Sequence, residues 1–338
     1  VAGQLWAQNE YGGFWSNQEL SLDMHVQAQP IMRFRQFCDR DSSFGSNRGS
    51  TLLFNKFLNV DVQGGPLDEK LPFPKTGFKT IQSSIVATEY GNSIPYTEKL
   101  ERLSKFDTQD AHNRAIINDV GKALNVAAAI EFRRSRIKAT PVGSDATPTL
   151  KFELRPASEV TCATAATRQA QIEDVLQITE ALKSGIYTSS DTGTTVASLS
   201  PVPPYDDDGN YVCVCSVGHA GAIRRDPDFI NAALYGDPER LFAGEIGRYH
   251  GVRFIEDNHL LANTMNGYRG EAVYFGAEAV KEIVVLMEEI RRGVPMDGGR
   301  DRSFYWYGIM GFKLIWEAHQ QNEPDNRIVH FTSSAITA

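Results

Sequence analysis

Residues 241–256 read LFAGEIGRYHGVRFIE and follow FINAALYGDPER at 229–240; the reading of this stretch decides the fold. Gly244, Gly247 and Gly251 punctuate it, and glycine is the residue that permits positive φ or a close backbone approach. Val252, Phe254 and Ile255 then form the pattern of a strand entering a core. Two glutamates, one histidine and two arginines are present, yet no metal, phosphate or nucleophile spacing accompanies them. The stretch is organised as architecture rather than as a catalytic site.

Outward from it, both flanks carry regular elements. Upstream, YVCVCSV at 211–217 alternates like a strand and places Cys213 and Cys215 on one face. Ahead of that, the spacing of Ile172, Val175, Leu176, Thr179 and Leu182 predicts an amphipathic helix over 168–184, with Gly185 as its stop. Downstream, Val280, Ile283, Val284, Met287 and Ile290 predict a third helix over 277–292. The sequence then turns strand-like in FYWYGIMGFKLIW (304–316) and, after the polar turn QQNEPDN, in RIVHFTSS (327–334).

The first half is equally partitioned. A long helix is expected over 108–137, capped by Asp107 or Thr108, with Ile116, Val120, Ala123, Ala127 and Ile130 as its buried stripe. Its basic end, Arg133, Arg134, Arg136 and Lys138, suits a helix C-terminus exposed to solvent, a patch facing DNA being the alternative. Before it, STLLFNKFLNV (50–60) and KTIQSSIVATEY (79–90) read as two strands joined by a tip dense in Gly and Pro. A lone two-stranded hairpin is marginal in water, so this one is expected to lie on another surface, that of another subunit. Residues 1–48 form an arm anchored by Trp6, Tyr11, Phe14 and Trp15, with a Ser16–Glu19 capping box opening a short helix to about Ala28.

With 338 residues, 41% hydrophobic and 22% charged, the chain can bury a large core and reads as a folded protein. No apolar run reaches membrane-spanning length, so no membrane is expected. A net charge of −8 argues against a protein whose main task is gripping phosphates. Cys38, Cys162, Cys213 and Cys215 are too scattered for a disulfide framework and read as free thiols in a reducing compartment.

The chemical motifs fail one by one. Asp206, Asp208 and Asn210 match the first ligands of a calcium loop, but Tyr211 stands where its glycine belongs and Val217 where its bidentate glutamate belongs. There is no P-loop, dinucleotide fingerprint, zinc-protease helix or nucleophile elbow. His250 and His259 flank Glu256 and Asp257, the best local cluster for a metal or acid–base pair, though nothing supplies a positioning loop or activated nucleophile. The aromatics Phe304, Tyr305, Trp306, Tyr307, Phe312 and Trp316 read as core covered on both faces, rather than as a base-stacking platform.

The segments YGNSIPYTEKLERLSKFD (90–107), DVGKAL (119–124), YVCVCSVGHAGAIRRDPDFINAA (211–233), RLFAGEIGRYHGVRFIED (240–257) and YWYGIMGFKL (305–314), in that order, resemble the major capsid proteins of tailed bacteriophages. The resemblance is to the subfamily typified by the coliphage N-four coat protein and runs from about residue 10 to 335. It implies an α+β chain of the Hong Kong 97-type (Johnson) fold: an N-arm at 1–48, an E-loop at 49–98, a P-domain with its spine helix at 99–167, an A-domain at 168–300 and a return to the P-domain sheet at 301–338. It implies self-assembly through pentamers and hexamers into an icosahedral shell around double-stranded DNA, in a virion built in the bacterial host cytoplasm. Scaffold, portal and decoration proteins are possible partners. No catalytic residue, cofactor or metal is implied. Candidate inter-subunit contacts are Gly64, Pro66, Asp68, Glu69 and Lys70 at the hairpin tip, and Glu245, Arg248 and Arg253 in the opening stretch. Two other readings stand beside it: an encapsulin-like shell holding enzyme cargo, and a metal-dependent hydrolase around Glu256 and His259.

Overall fold

Two sheets share one helix in the computed structural model, which describes residues 32–334 apart from 43–44, 46–48, 61–64, 68, 70–71, 74, 105–106, 145–146, 157, 160–163, 228–244, 260–269 and 318–322. The expected arm helix at 16–28 lies outside the described residues. From Phe34 onward the chain is packed into its own body: a 3-10 turn, Phe34–Phe37, leads to β1 (Asp39–Asp41). β2 (Thr51–Phe57) and β3 (Thr80–Val86) form a two-stranded antiparallel hairpin. β4 (Thr88–Thr97) then runs into the short helix α1 (Glu98–Leu103).

The long helix α2 spans Thr108–Arg133, where Asp107 accepts hydrogen bonds from the amides of Gln109 and Asp110 as the capping argument requires. Its 26 residues extend about 39 Å. The chain continues through β5 (Ile137–Ser144), β6 (Thr147–Leu154), α3 (Ile172–Ser184), β7 (Ile186–Thr188), β8 (Thr195–Ser198), β9 (Tyr211–Cys215) and α4 (Val217–Arg225). β10 (Glu245–Tyr249), β11 (Val252–Glu256), β12 (Gly270–Phe275), β13 (Val280–Arg292), β14 (Asp301–Leu314) and β15 (Ile328–Ser333) complete it.

The larger sheet has the order β10-β11-β9-β12-β15-β5-β6 and the smaller the order β1-β13-β14-β4. On one face of the larger sheet, Cys213, Cys215, Tyr274 and Phe331 pack against α3 and α4. On the other, Val212, Val214, Val273, Phe275 and Ile328 meet Ala128, Ala129 and Phe132 of α2. The first two-thirds of α2 lies on the smaller sheet, with Ile116 and Leu124 against Tyr96, Phe304, Trp306 and Met310. One helix therefore belongs to both cores.

Four expectations change. The segment 277–292 holds a 13-residue strand, Val280–Arg292, not a helix. Val280, Ile283 and Val284 are buried, whereas Met287 and Ile290, beyond register shifts in the pairing with β14, are exposed, so the helical spacing of these five apolar residues does not mark one buried face. The buried stripe of α2 is His112, Ile116, Leu124, Asn125, Ala128, Ala129 and Phe132, while Ile130 is exposed and Val120, Ala123 and Ala127 are half-buried. The helix stops at Arg133, and its basic end is not wholly solvated: Arg133 and Lys138 are buried. In β14 only one face is fully covered, since Phe304, Trp306 and Met310 are buried and Tyr305, Tyr307 and Ile309 are half-exposed.

Candidate inter-subunit surfaces

The opening stretch forms the edge of the larger sheet. β10 and β11 pair antiparallel through a two-residue turn in which His250 (φ 50) and Gly251 (φ 77) both take positive φ, the geometry of a tight hairpin turn. Gly247 marks a register shift in β10. Gly244 lies outside the described residues, as does the side chain of Glu245. Arg253 donates to Asp206 at 2.5 Å, and Arg248 stands 3.9 Å from Asp208, so both arginines tie this edge to the acidic turn before β9. That turn is thus an arginine-binding turn within the chain.

At the hairpin, Pro66 and Glu69 are exposed, whereas Gly64, Asp68 and Lys70 lie outside the described residues. The exposed face is mixed: Leu53, Phe57 and Val86 alternate with polar residues such as Asn55 and Gln82, and Phe73 and Phe78 are exposed towards the tip. The inner face lies on the chain's own body, where Ile85 packs against Ile283 and the Lys281 ammonium sits 5.8 Å from the Phe54 ring centroid. The hairpin root therefore needs no second subunit to rest on, and only the segment beyond Phe57 leaves the body. A second exposed apolar group, Met287, Ile290, Val294 and Met296, caps the far end of β13 and the link to β14. Helical spacing hid this group from the sequence reading.

The residues of the metal-site reading do not converge. His250 is exposed at one end of β11, while Glu256 ends the strand 3.9 Å from Arg224. Asp257 and His259 are buried against α2: Asp257 accepts from the Arg33 amide at 2.7 Å and from the His259 amide at 3.0 Å, and Asn125 lies 3.3 Å from His259 Nδ1. Burial holds the His259 pKa below its ordinary value. Among the described residues no group of three His, Cys, Asp or Glu side chains has the geometry to hold a metal. Cys213 and Cys215 are buried, and burial raises the Cys213 thiol well above its ordinary range.

Sequence reasoning missed the buried charge network at the end of α2. Arg133 grips Glu271 with two hydrogen bonds, 2.5 and 3.0 Å, His330 Nε2 lies 2.7 Å from the same carboxylate, and Lys138 donates to the Arg133 carbonyl at 2.5 Å. Burial alone would raise the Glu271 pKa, but His330 and Arg133 outweigh it and hold the carboxyl below its usual range. Burial, with Lys138 adding to it, pushes His330 down to about 4, so the ring is neutral and donates from Nε2. The signal was available in the phase of the strands, since Glu271 and His330 occupy positions of β12 and β15 whose neighbours are all buried.

These features belong to a known architecture. The chain is similar to the capsid of Ralstonia phage GP4, with a TM-score of 0.66, 13% sequence identity and 99% of each chain covered. It is similar to the capsid protein in the asymmetric unit of cyanophage Pam1, with a TM-score of 0.67 and 15% identity over 95% of this chain and 97% of that one. A third likeness is to the acidic stable capsid of Helicobacter pylori bacteriophage KHP30, with a TM-score of 0.64 and 10% identity over 94% and 95%. No protein-family model and no curated protein matches the sequence. At these identities the likeness is one of fold. The fold is that of tailed-phage capsid proteins, the Hong Kong 97-type α+β fold that the sequence motifs resemble.

Proposed function

We propose that the chain is the major capsid protein of a tailed bacteriophage, assembling through pentamers and hexamers into an icosahedral shell around double-stranded DNA. The observation that carries this is the match of nearly its whole length to capsid subunits of several phages. The exposed large hydrophobics of the hairpin, Leu53, Phe57, Phe73, Phe78 and Val86, support it, since several such side chains gathered on one element suit a surface covered by a partner. On this reading 1–48 is the N-arm, 49–98 the E-loop, 99–167 with α2 the P-domain, 168–300 the A-domain and 301–338 the return to the P-domain sheet.

The partners of the subunit are then copies of itself, contacting at the hairpin tip (Gly64 to Lys70) and at Glu245, Arg248 and Arg253 around the ring. Heterologous contacts that close into rings suit such a shell. Packaged DNA touches it weakly, because a subunit with net charge −8 repels phosphate over most of its surface. Scaffold, portal and decoration proteins join it in the virion, assembly takes place in the host cytoplasm, and the mature subunit has no catalytic role. Sedimentation and negative-stain imaging of the purified protein test the reading. Large closed particles are expected, with nucleic acid in those taken from infected cells. A protein that stays monomeric or dimeric under every assembly condition overturns it, and particles holding enzymes instead of nucleic acid point to the encapsulin-like alternative.

A further inference from the structure

β2 carries one residue out of place. Along Thr51–Phe57 the inward positions are Leu52, Phe54 and Lys56, and Lys56 is the most buried of the three, at 6% exposure. A lysine this deeply buried requires a built partner set. Its Nζ donates to the Ile315 carbonyl at 2.8 Å and to the Glu323 carboxylate, and lies 5.2 Å from the centroid of the Trp316 ring. The Glu323 carboxylate also accepts from the Glu317 amide at 3.3 Å. Arg327 packs on the same Trp316 ring at 4.7 Å and donates to Ala277 and Glu278, which joins the cluster to the turn before β13.

At the other strand Ala87 joins β3 to β4, whose ladder to β14 begins at Thr88, and the remaining contacts of the hairpin root are apolar or loose, centred on Ile85 and Ile283 and on Phe54 beneath Lys281. Hydrophobic contact is non-directional and sets proximity without fixing an angle. Charge-assisted hydrogen bonds do fix geometry. A buried ion pair adds little stability over an apolar replacement but can specify one arrangement among several. Lys56 sits next to the end of β2, where the chain leaves for the tip.

We infer that Lys56 is a latch: its buried bonds to Glu323 and Ile315, over Trp316, set the pose of the β2–β3 hairpin on the subunit body and so aim the tip before any neighbour is met. Lys56 is a positioning residue in this scheme. What the tip is aimed at rests on the shell reading, but the latch itself is a property of the single subunit.

Hydrogen exchange on the unassembled full-length subunit tests it. Replacing Lys56→Met should raise exchange at the amides of Thr51–Phe57 and Thr80–Val86 by about tenfold or more, while β9, β12 and β15 keep their protection. Glu323→Gln should do the same to a smaller degree, and Lys56→Arg, which keeps the charge, should stay near the parent. If Lys56→Met does not fold, the contrast between Glu323→Gln and Lys56→Arg carries the test. Unchanged hairpin exchange, or an equal rise in all strands, overturns the latch. Failure of the parent protein to form particles would instead overturn the shell reading and leave the exchange result standing.

Discussion

Two buried histidines, His219 on α4 and His330 in β15 of the larger sheet, connect single residues to acid stability. Burial pushes His219, bonded to the Tyr274 hydroxyl at 2.9 Å, down to about 3, and His330 down to about 4. The unfolded chain takes up a proton at each as pH falls through about 6.5, while the folded chain does not until much lower. Stability is therefore full above that value and falls as the pH drops towards about 4, by on the order of 3 kcal/mol per histidine. Urea denaturation at about pH 7.5 and about pH 5 should show the loss, and a His219→Asn, His330→Asn variant should show a flatter dependence. Equal parent stability at the two pH values would refute this. Arg133 is the matching case among cations. A basic run at a helix end reads as solvated from sequence alone, and only the arrival of Glu271 from a strand 138 positions later makes it a buried clamp.

At the scale of elements, the hairpin divides at Phe57 into a root fixed on the body and a tip that makes none of the described core contacts. Deleting residues 64–77 should leave the circular dichroism spectrum and melting curve of the subunit nearly unchanged while lowering the yield of closed particles. Loss of the folded subunit would show instead that the tip belongs to the core. Elements whose signals are local were legible in the sequence: the Asp107 cap, the Gly185 stop with φ 74, the alternation of β9 and the turn at Gly251. Those that failed depended on partners far along the chain. β13 has the apolar spacing of a helix although Met287 and Ile290 are exposed, and β14 shows apolar residues on both faces although α2 covers only one. The candidate contacts were legible only as exposed or charged positions, because two of them, Arg248 and Arg253, find their described partners in the turn before β9.

At the scale of the whole molecule, the chain order of the larger sheet sets when the fold can exist. β5 and β6 are made early, yet they join the rest of the sheet only through β15, which pairs parallel with β5 on one side and antiparallel with β12 on the other. A chain stopped before Ile328 lacks that strand, exposes the edges of β5 and β12 and leaves the Arg133–Glu271 pair without His330. Such a chain should show no cooperative thermal transition and should aggregate, and a cooperative melt near that of the parent would show the sheet to be closed without it. The central place of β15 has a further consequence for timing on the ribosome. His330 is added 197 residues after Arg133, roughly 10–40 s later at ordinary elongation rates. Throughout that interval the nascent polypeptide carries the open edge of β5 and, once it is made, of β12, so the growing chains of a crowded polysome are open to pairing with one another until β15 arrives.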